Sequence, residues 1–174
     1  SYVEMVKRPE HGYGRGLNPC HDCRVYTLLR GRRVMEERGA RFLVTGEVLG
    51  QRPMSRRLLQ LHQIEAEAGL HGLVLRPLSA RLLPPTIPER EGWVDRERLL
   101  DISGRSRDRQ LELADALGIE HPPGAGGGCL LTEPDFAAKV QDAFQYGQDA
   151  IDQLRLLRLG RHYRLTPTAK LVLG

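Results

Sequence analysis

Two short apolar stretches, Arg41-Phe-Leu-Val-Thr45 and Gly72-Leu-Val-Leu-Arg-Pro-Leu78, predict the fold class of this chain. Both are nearly continuous in apolar residues, as strands of a parallel sheet are when helices cover both faces. Between them, apolar residues recur at helical spacing from Met54 to Ala68, and Gly69 ends the pattern. This strand–helix–strand order predicts α/β packing with a right-handed crossover.

The rest of the sequence predicts mainly helices. They are expected over residues 22–38, 95–102, 106–117, 134–146 and 149–159, and a hairpin is expected from strands 161–165 and 169–173. Two strands are few for a free-standing parallel sheet. We therefore expect an incomplete Rossmann-like sheet, cut from a longer chain, with a small C-terminal α+β appendage. The predicted domains are residues 1–132 and 133–174.

Charge and hydropathy restrict the class of protein. The 174 residues carry a net charge of +4, and no apolar run approaches the roughly 18 residues of a membrane-spanning helix. The first residues lack the pattern of a signal peptide, so we expect a cytoplasmic protein without a membrane partner. Residues 150–174 hold five basic residues and one acidic residue. Such a basic segment favours a nucleic-acid partner, although a solvated basic face is the open alternative.

Three cysteines provide the strongest chemical signal. Cys20 and Cys23 form a CxxC motif at the start of a predicted helix, where the helix dipole stabilises thiolates. Cys129 follows three glycines that permit close approach to a bulky ligand. Three thiolates leave one position of a metal centre open, as in a 4Fe–4S cluster or a zinc site. A structural zinc completed by His21 or His121, a thioredoxin-like redox pair and three unrelated cysteines stay open as alternatives.

Two loops carry signals of anion binding. Thr45-Gly-Glu-Val-Leu-Gly-Gln-Arg-Pro-Met-Ser55 leaves the carboxyl end of a predicted buried strand, where open α/β sheets bind ligands. Its two glycines permit a nucleotide to approach the backbone, and the structural alternative is a plain turn with solvated arginines. The second loop, around Arg105, Arg107 and Arg109, is suited to phosphates, but its arginines are equally compatible with a solvated helix start.

These motifs together resemble a known superfamily. Thr45-Gly-Glu-Val-Leu-Gly-Gln51 followed by Leu75-Arg-Pro-Leu78 is similar to the adenylating domain of the tRNA 4-thiouridine synthetases. Asn18-Pro-Cys-His-Asp-Cys23 with a distant third cysteine resembles the cluster-bearing tRNA 2-thiolation enzymes of the same PP-loop superfamily. Gly104-Arg-Ser-Arg-Asp-Arg-Gln110 and Ala125-Gly-Gly-Gly-Cys-Leu-Leu-Thr132 resemble a subgroup of PP-loop proteins related to the synthetases. In that subgroup the basic tail, which corresponds to residues 150–174 here, is the start of a small RNA-binding domain of the NFACT type.

The resemblance implies an ATP-dependent tRNA sulfurtransferase that adenylates a uridine carbonyl and then inserts sulfur. It implies that Cys20, Cys23 and Cys129 hold a 4Fe–4S cluster, with zinc as the alternative. ATP with Mg would bind at Arg24, Gly46, Gly50, Gln51 and Arg56. The tail would bind tRNA through Arg155, Arg158, Arg161, Tyr163 and Arg164. A sulfur donor is a further implied partner, and a homodimer is compatible with the resemblance.

One departure from the superfamily matters for activity. The Ser-Gly-Gly-x-Asp-Ser loop that binds pyrophosphate does not occur in this sequence, so we expect no adenylation by the chain as it stands. Residues 1–132 then correspond to the C-terminal part of the PP-loop domain. Residues 133–174 correspond to a helical connection and the start of the RNA-binding domain. A non-catalytic RNA-binding protein with structural zinc, and a PP-loop enzyme acting on a small base, are the alternative functions.

Overall fold

The computed structural model of the protein describes residues 1–52, 57–120 and 128–174. The chain divides into two compact units. Unit 1 joins Ser1–Pro19 to Gly128–Gly174, and unit 2 is the continuous stretch Cys20–Gly127. The sequence predicted a division at residue 132 between two functional regions, and it did not predict that unit 1 is discontinuous. The division at residue 132 stays a prediction.

Short helices and four short strands make up the regular structure of the described residues. The helices are α1 (Tyr2–Lys7), α2 (Cys20–Glu37), α3 (Leu58–Glu67), α4 (Ile87–Arg90), α5 (Asp108–Ala116), α6 (Pro134–Gln145) and α7 (Ile151–Leu156). The strands are β1 (Leu43–Val44), β2 (Val74–Leu75), β3 (Arg161–Arg164) and β4 (Lys170–Leu173). Short 3-10 turns lie at Ala80–Leu82, Arg96–Arg98 and Leu130–Thr132.

Unit 2 is built on a two-stranded parallel sheet. Strand β1 pairs with β2, and Leu43 lies opposite Val74. Helices α2 and α3 pack beside the strands on a core that contains Leu28, Ile64 and Val74, all at most 2% exposed. Burying each of these side chains contributes about 1.5–3 kcal/mol. The predicted mixture of helices and parallel strands is therefore confirmed, whereas two strands alone do not define a Rossmann-like sheet.

Unit 1 is organised around α6, whose buried face carries apolar residues at helical spacing. Ala137, Val140 and Ala143 pack with Leu17 and Leu157. The antiparallel hairpin of β3 and β4 follows α7, and Arg161 lies opposite Leu173. Its two strands confirm the predicted hairpin within a residue at each end. Helix α1, one and a half turns long, is too short to leave a periodic pattern in the sequence.

One predicted helix is wrong. Residues 95–102 form only the 3-10 turn Arg96–Arg98, which starts where Asp95 accepts a hydrogen bond from the backbone N–H of Glu97 (3.0 Å). The backbone of Leu100 instead bonds to the segment after β2. Its N–H donates to Pro77 O (2.8 Å), and its carbonyl accepts from the N–H of Arg81 (3.0 Å). These tertiary hydrogen bonds replace those of a helix.

Smaller differences concern the ends of elements. The helix expected from Met54 is observed from Leu58, and residues 53–56 lie outside the described ranges. The strand expected over residues 41–45 is limited to Leu43–Val44, and that over 72–78 to Val74–Leu75. The helix expected over 149–159 is limited to Ile151–Leu156. The sequence pattern therefore located these elements better than it located their ends.

Candidate functional site

The loop that follows β1 lies at the carboxyl edge of the parallel sheet. The N–H of Thr45 still donates to Leu75 O of the neighbouring strand (2.9 Å), and the chain then leaves the sheet. Gly46 is exposed, and a side chain added there would meet nothing within 4 Å. Open α/β sheets bind ligands at this edge. The position predicted for Gly46 is therefore compatible with access to a ligand.

The structure brings the two predicted anion-binding loops together. Leu49 forms a parallel bridge with Ser103, and the N–H of Gly104 donates to Leu49 O (2.8 Å). The hydroxyl of Ser79 secures this crossing because it accepts from the N–H of Leu49 (2.9 Å) and donates to Ile102 O (2.7 Å). Gly50 and Gly104 both have positive φ, at 75° and 88°. The loop around Arg105, Arg107 and Arg109 therefore lies directly beside the candidate nucleotide loop.

A buried network of charged side chains lies beneath the candidate nucleotide loop. Glu47 accepts from Arg24 Nη2 (2.5 Å) and from Arg76 Nε (3.0 Å). Arg76 also forms an ion pair with Glu65, whose other oxygen accepts from the N–H of Gly72 (3.2 Å). The side chains of Arg76, Glu47 and Glu65 are at most 7% exposed. Breaking one pair in such a network leaves an uncompensated buried charge, which typically costs about 3–5 kcal/mol.

The network changes the interpretation of Arg24. The sequence placed Arg24 beside a nucleotide, and the structure shows its guanidinium bound to Glu47, next to Gly46. Sequence reasoning missed Glu47, Glu65 and Arg76 as a group. The available signal was a charged residue close behind each apolar strand: Arg76 directly follows β2, and Glu47 lies three residues after the end of β1.

The CxxC motif lies at the same edge of the sheet as the loop. Cys20 and Cys23 are three residues apart in the first turn of α2, so their side chains share a face of the helix. Because Arg24 in that turn contacts Glu47, the first turn of α2 lies beside the loop after β1. Both thiols are half-buried. Two thiolates on one face of a helix start are compatible with binding to one metal centre.

The third predicted cysteine ligand lies in the other unit. Cys129 is half-buried and directly precedes the 3-10 turn Leu130–Thr132 of unit 1, so convergence of the three sulfur atoms stays a prediction. Of the two candidate histidines, His21 contacts Glu67 Oε1 (3.0 Å between the nitrogen and the oxygen). His121 lies outside the described residues.

Unit 1 contains an apolar groove of about 390 Å³. Helices α1, α6 and α7 form its walls, with Val6, Phe136 and Phe144 among the apolar side chains. Cys129, Arg155 and Arg158 also line it. One groove therefore contains the predicted metal ligand of unit 1 and two of the residues predicted to bind RNA.

The predicted RNA-binding residues differ in their surroundings. Arg155, Arg158, Arg161 and Tyr163 are exposed, and Arg155 contacts Asp152 (3.2 Å). The guanidinium of Arg164 instead forms a bidentate pair with Asp142, with distances of 3.1 and 2.6 Å, and also donates to Gln148 Oε1 (2.7 Å). Arg164 therefore holds β3 against α6, and any role in RNA binding would have to compete with this internal pair.

The remaining predicted nucleotide-binding residues stay predictions. Gly50 and Gln51 are half-buried at the crossing of the two loops, and Arg56 lies outside the described residues. Comparison with protein-family models, with curated proteins and with solved structures finds no match to this chain. In the part of the chain that the structure describes, no helix has the length and apolar character needed to cross a membrane.

Proposed function

We propose that this chain is part of a tRNA-modifying sulfurtransferase, which thiolates a tRNA uridine through ATP-dependent adenylation and sulfur insertion. The observation that carries the proposal is the groove of unit 1, because Cys129 lies in it together with Arg155 and Arg158. A thiolation site requires a sulfur-handling group near the RNA backbone. A thiol beside two arginines meets that requirement.

The groove could hold part of an RNA substrate. Its apolar walls include Phe136 and Phe144, and aromatic rings stack on unpaired bases in many RNA-binding proteins. Arg155 and Arg158 supply positive charge for phosphates. Arg161 and Tyr163 are exposed on β3 and line a separate hollow beside Lys139 of α6, so they would provide a second basic surface.

Unit 2 supports a nucleotide site at the carboxyl edge of its sheet. Two arginines form ion pairs with Glu47 and so fix the position of the backbone next to Gly46. Gly46 itself is exposed to solvent. In the proposed enzyme Arg24 would position Glu47 and the loop rather than contact phosphates directly. ATP with Mg would supply the adenylate that activates the uridine carbonyl, and the 4Fe–4S cluster would supply an iron atom that binds sulfide.

Metal content is the first test. The 174-residue chain is reconstituted with iron and sulfide under anaerobic conditions, and iron and acid-labile sulfide are measured per chain. We expect about four of each for a 4Fe–4S cluster, and loss of the cluster in C20A, C23A and C129A. One colourless zinc per chain would instead favour a non-catalytic RNA-binding protein. A cluster that is retained in C129A would contradict the shared site.

Salt dependence of tRNA binding is the second test. Replacing Arg155, Arg158 and Arg161 together with glutamine should reduce the log–log salt slope by up to about three, since each lost phosphate contact removes about 0.9. The matched control replaces three other exposed arginines, Arg30 and Arg33 of α2 and Arg38 directly after it, and removes the same charge. Equal slopes for the two triple variants would remove the tail from the RNA-binding surface.

A further inference from the structure

A second cavity, in unit 2, has walls that none of the predicted sites explains. It measures about 130 Å³ and lies between α3, the turn before β2 and the proline-rich segment that leads to α4. Its polar lining includes His62, Glu65, His71, Arg76 and Arg90. Neither the cysteines nor the loop over residues 45–51 is among the described residues that line it. We call it the Arg76 cavity.

Arg76 is the most deeply buried charged residue of the lining. Its side chain is 3% exposed, its Nε donates to Glu47 (3.0 Å), and its Nη1 donates to Glu65. Its Nη2 is buried and has no hydrogen-bond partner among the described residues. Leaving such a donor unsatisfied costs about 1–3 kcal/mol, so binding of an acceptor beside Nη2 would be favourable.

The carboxylate in the wall does not fill this role. One oxygen of Glu65 is bound to Arg76 Nη1 and the other accepts from the N–H of Gly72 (3.2 Å). Glu65 and Glu47 together balance the charges of Arg76 and Arg24. Within this network there is therefore no excess negative charge to repel an anion.

Three further residues of the lining add positive charge and donors. Arg90 is exposed, and its Nη1 donates to Pro85 O (2.8 Å). A Cβ built on Gly72 would lie 3.9 Å from Arg90 Nη2, so this guanidinium lies close to the turn before β2. His62 and His71 lie edge to face with ring centroids 6.4 Å apart. Imidazole nitrogens can donate hydrogen bonds to an anion.

We propose that the Arg76 cavity binds the phosphate group of a small ligand. Two arginines and two histidines suit a multiply charged oxyanion with several acceptor oxygens. The volume holds several water molecules but is well below the roughly 300 Å³ of a pocket for a drug-sized ligand. The bound group is either free inorganic phosphate or the phosphate end of a larger molecule. This site does not rest on the proposed sulfurtransferase activity.

The test follows the ring signals of the histidines by NMR while inorganic phosphate is added to the 174-residue chain at constant ionic strength. Signals of His62 and His71 should shift, whereas those of His162 in unit 1 should not. Parallel titrations with ribose 5-phosphate and with neutral ribose identify the source. Tighter binding of the sugar phosphate indicates a larger ligand, equal or weaker binding indicates free phosphate, and binding of ribose contradicts the proposal.

Two variants connect binding to the cavity. Arg90→Gln removes an exposed cationic group and should weaken phosphate binding about tenfold, the effect of a hydrogen bond to a charged group. Arg98→Gln removes an exposed arginine that does not line the cavity and should leave the affinity unchanged. Ring signals of His62 and His71 that do not respond to phosphate, or equal affinities of the two variants, would overturn the proposal.

Discussion

Asp142 should control whether the C-terminal hairpin stays docked on α6. Its carboxylate accepts both hydrogen bonds of the bidentate pair from Arg164 and also contacts Lys170 Nζ (2.5 Å). The guanidinium of Arg164 lies over the ring of Tyr146, 4.3 Å from its centroid. The substitution Asp142→Asn removes the charge and one set of acceptor lone pairs while keeping the shape of the side chain.

The size of the effect follows from the pKa of Asp142. The hydrogen bonds from Arg164, aided by Lys170, lower that pKa from 3.8 to about 2. At about 1.4 kcal/mol per pKa unit, this shift corresponds to roughly 2.5 kcal/mol. The Asp142 side chain is 26% exposed, and solvent screening reduces the contribution to roughly 1–2 kcal/mol.

The pH dependence has a definite sign. A carboxyl group with a lowered pKa stabilises the folded state above its unfolded pKa, and this contribution is lost as the pH falls through its folded pKa. The free energy of unfolding of the hairpin should therefore be higher in the wild type than in D142N by roughly 1–2 kcal/mol at pH 6. The difference should shrink between pH 4 and 2 and nearly vanish below pH 2.

The assay is urea unfolding of both proteins at several pH values, followed through the NMR amide signals of Tyr163 and Leu171 in the hairpin. Asp152→Asn is the matched control, because the pair of Asp152 with Arg155 is exposed and the Asp152 side chain is 93% exposed. We expect no measurable change for this control. A D142N difference that stays constant from pH 6 to 2 would refute the electrostatic argument.

Three further predictions test the architecture of unit 2. Glu65→Gln leaves Arg76 short of a buried counter-charge, so the free energy of unfolding in urea should fall by about 3–5 kcal/mol; an unchanged midpoint would show that water compensates the charge. Gly104→Ala places a Cβ on a residue with a φ of +88° and should lower the free energy of unfolding by about 1–2 kcal/mol in the same assay. Its control is Gly46→Ala, at an open position without positive φ, which should lower this free energy by less than half as much. Arg41→Ala removes a guanidinium that lies 3.2 Å from the centroid of the single tryptophan, so the emission of that residue should change in native buffer, and an identical spectrum would contradict the contact.

Local sequence patterns carried the prediction of the helices and strands. Helix α6 was found almost to the residue, because apolar residues recur at helical spacing behind Pro134, at Phe136, Val140, Ala143 and Phe144. Gly69 was correctly expected to end α3, and it has the left-handed φ of 63° common after a helix. The false helix over 95–102 had suitable local propensities, but its backbone hydrogen bonds go to residues 77–81. Such distant partners leave no periodic signal.

The candidate site was predictable only in part for the same reason. The CxxC motif and the strand-end glycines are local patterns, so they could be read directly. The contact of Glu47 with Arg76 joins residues 29 positions apart, and the pair of Arg164 with Asp142 joins residues 22 apart. From the sequence alone, each of these charged residues looks like an ordinary surface residue. Only the fold shows that it pairs with another charged residue of the same chain.

The discontinuity of unit 1 has a consequence for synthesis on the ribosome. Unit 2 is one continuous stretch, so all its residues are available once residue 127 has emerged. The first 19 residues must wait for Leu131, whose carbonyl accepts from the N–H of Leu17 (2.9 Å), and for Asp149, which pairs with Lys7. At about 5–20 residues per second, this wait lasts for roughly 6 to 26 seconds. During that interval Val6 and Leu17, both buried in the finished protein, are accessible to chaperones.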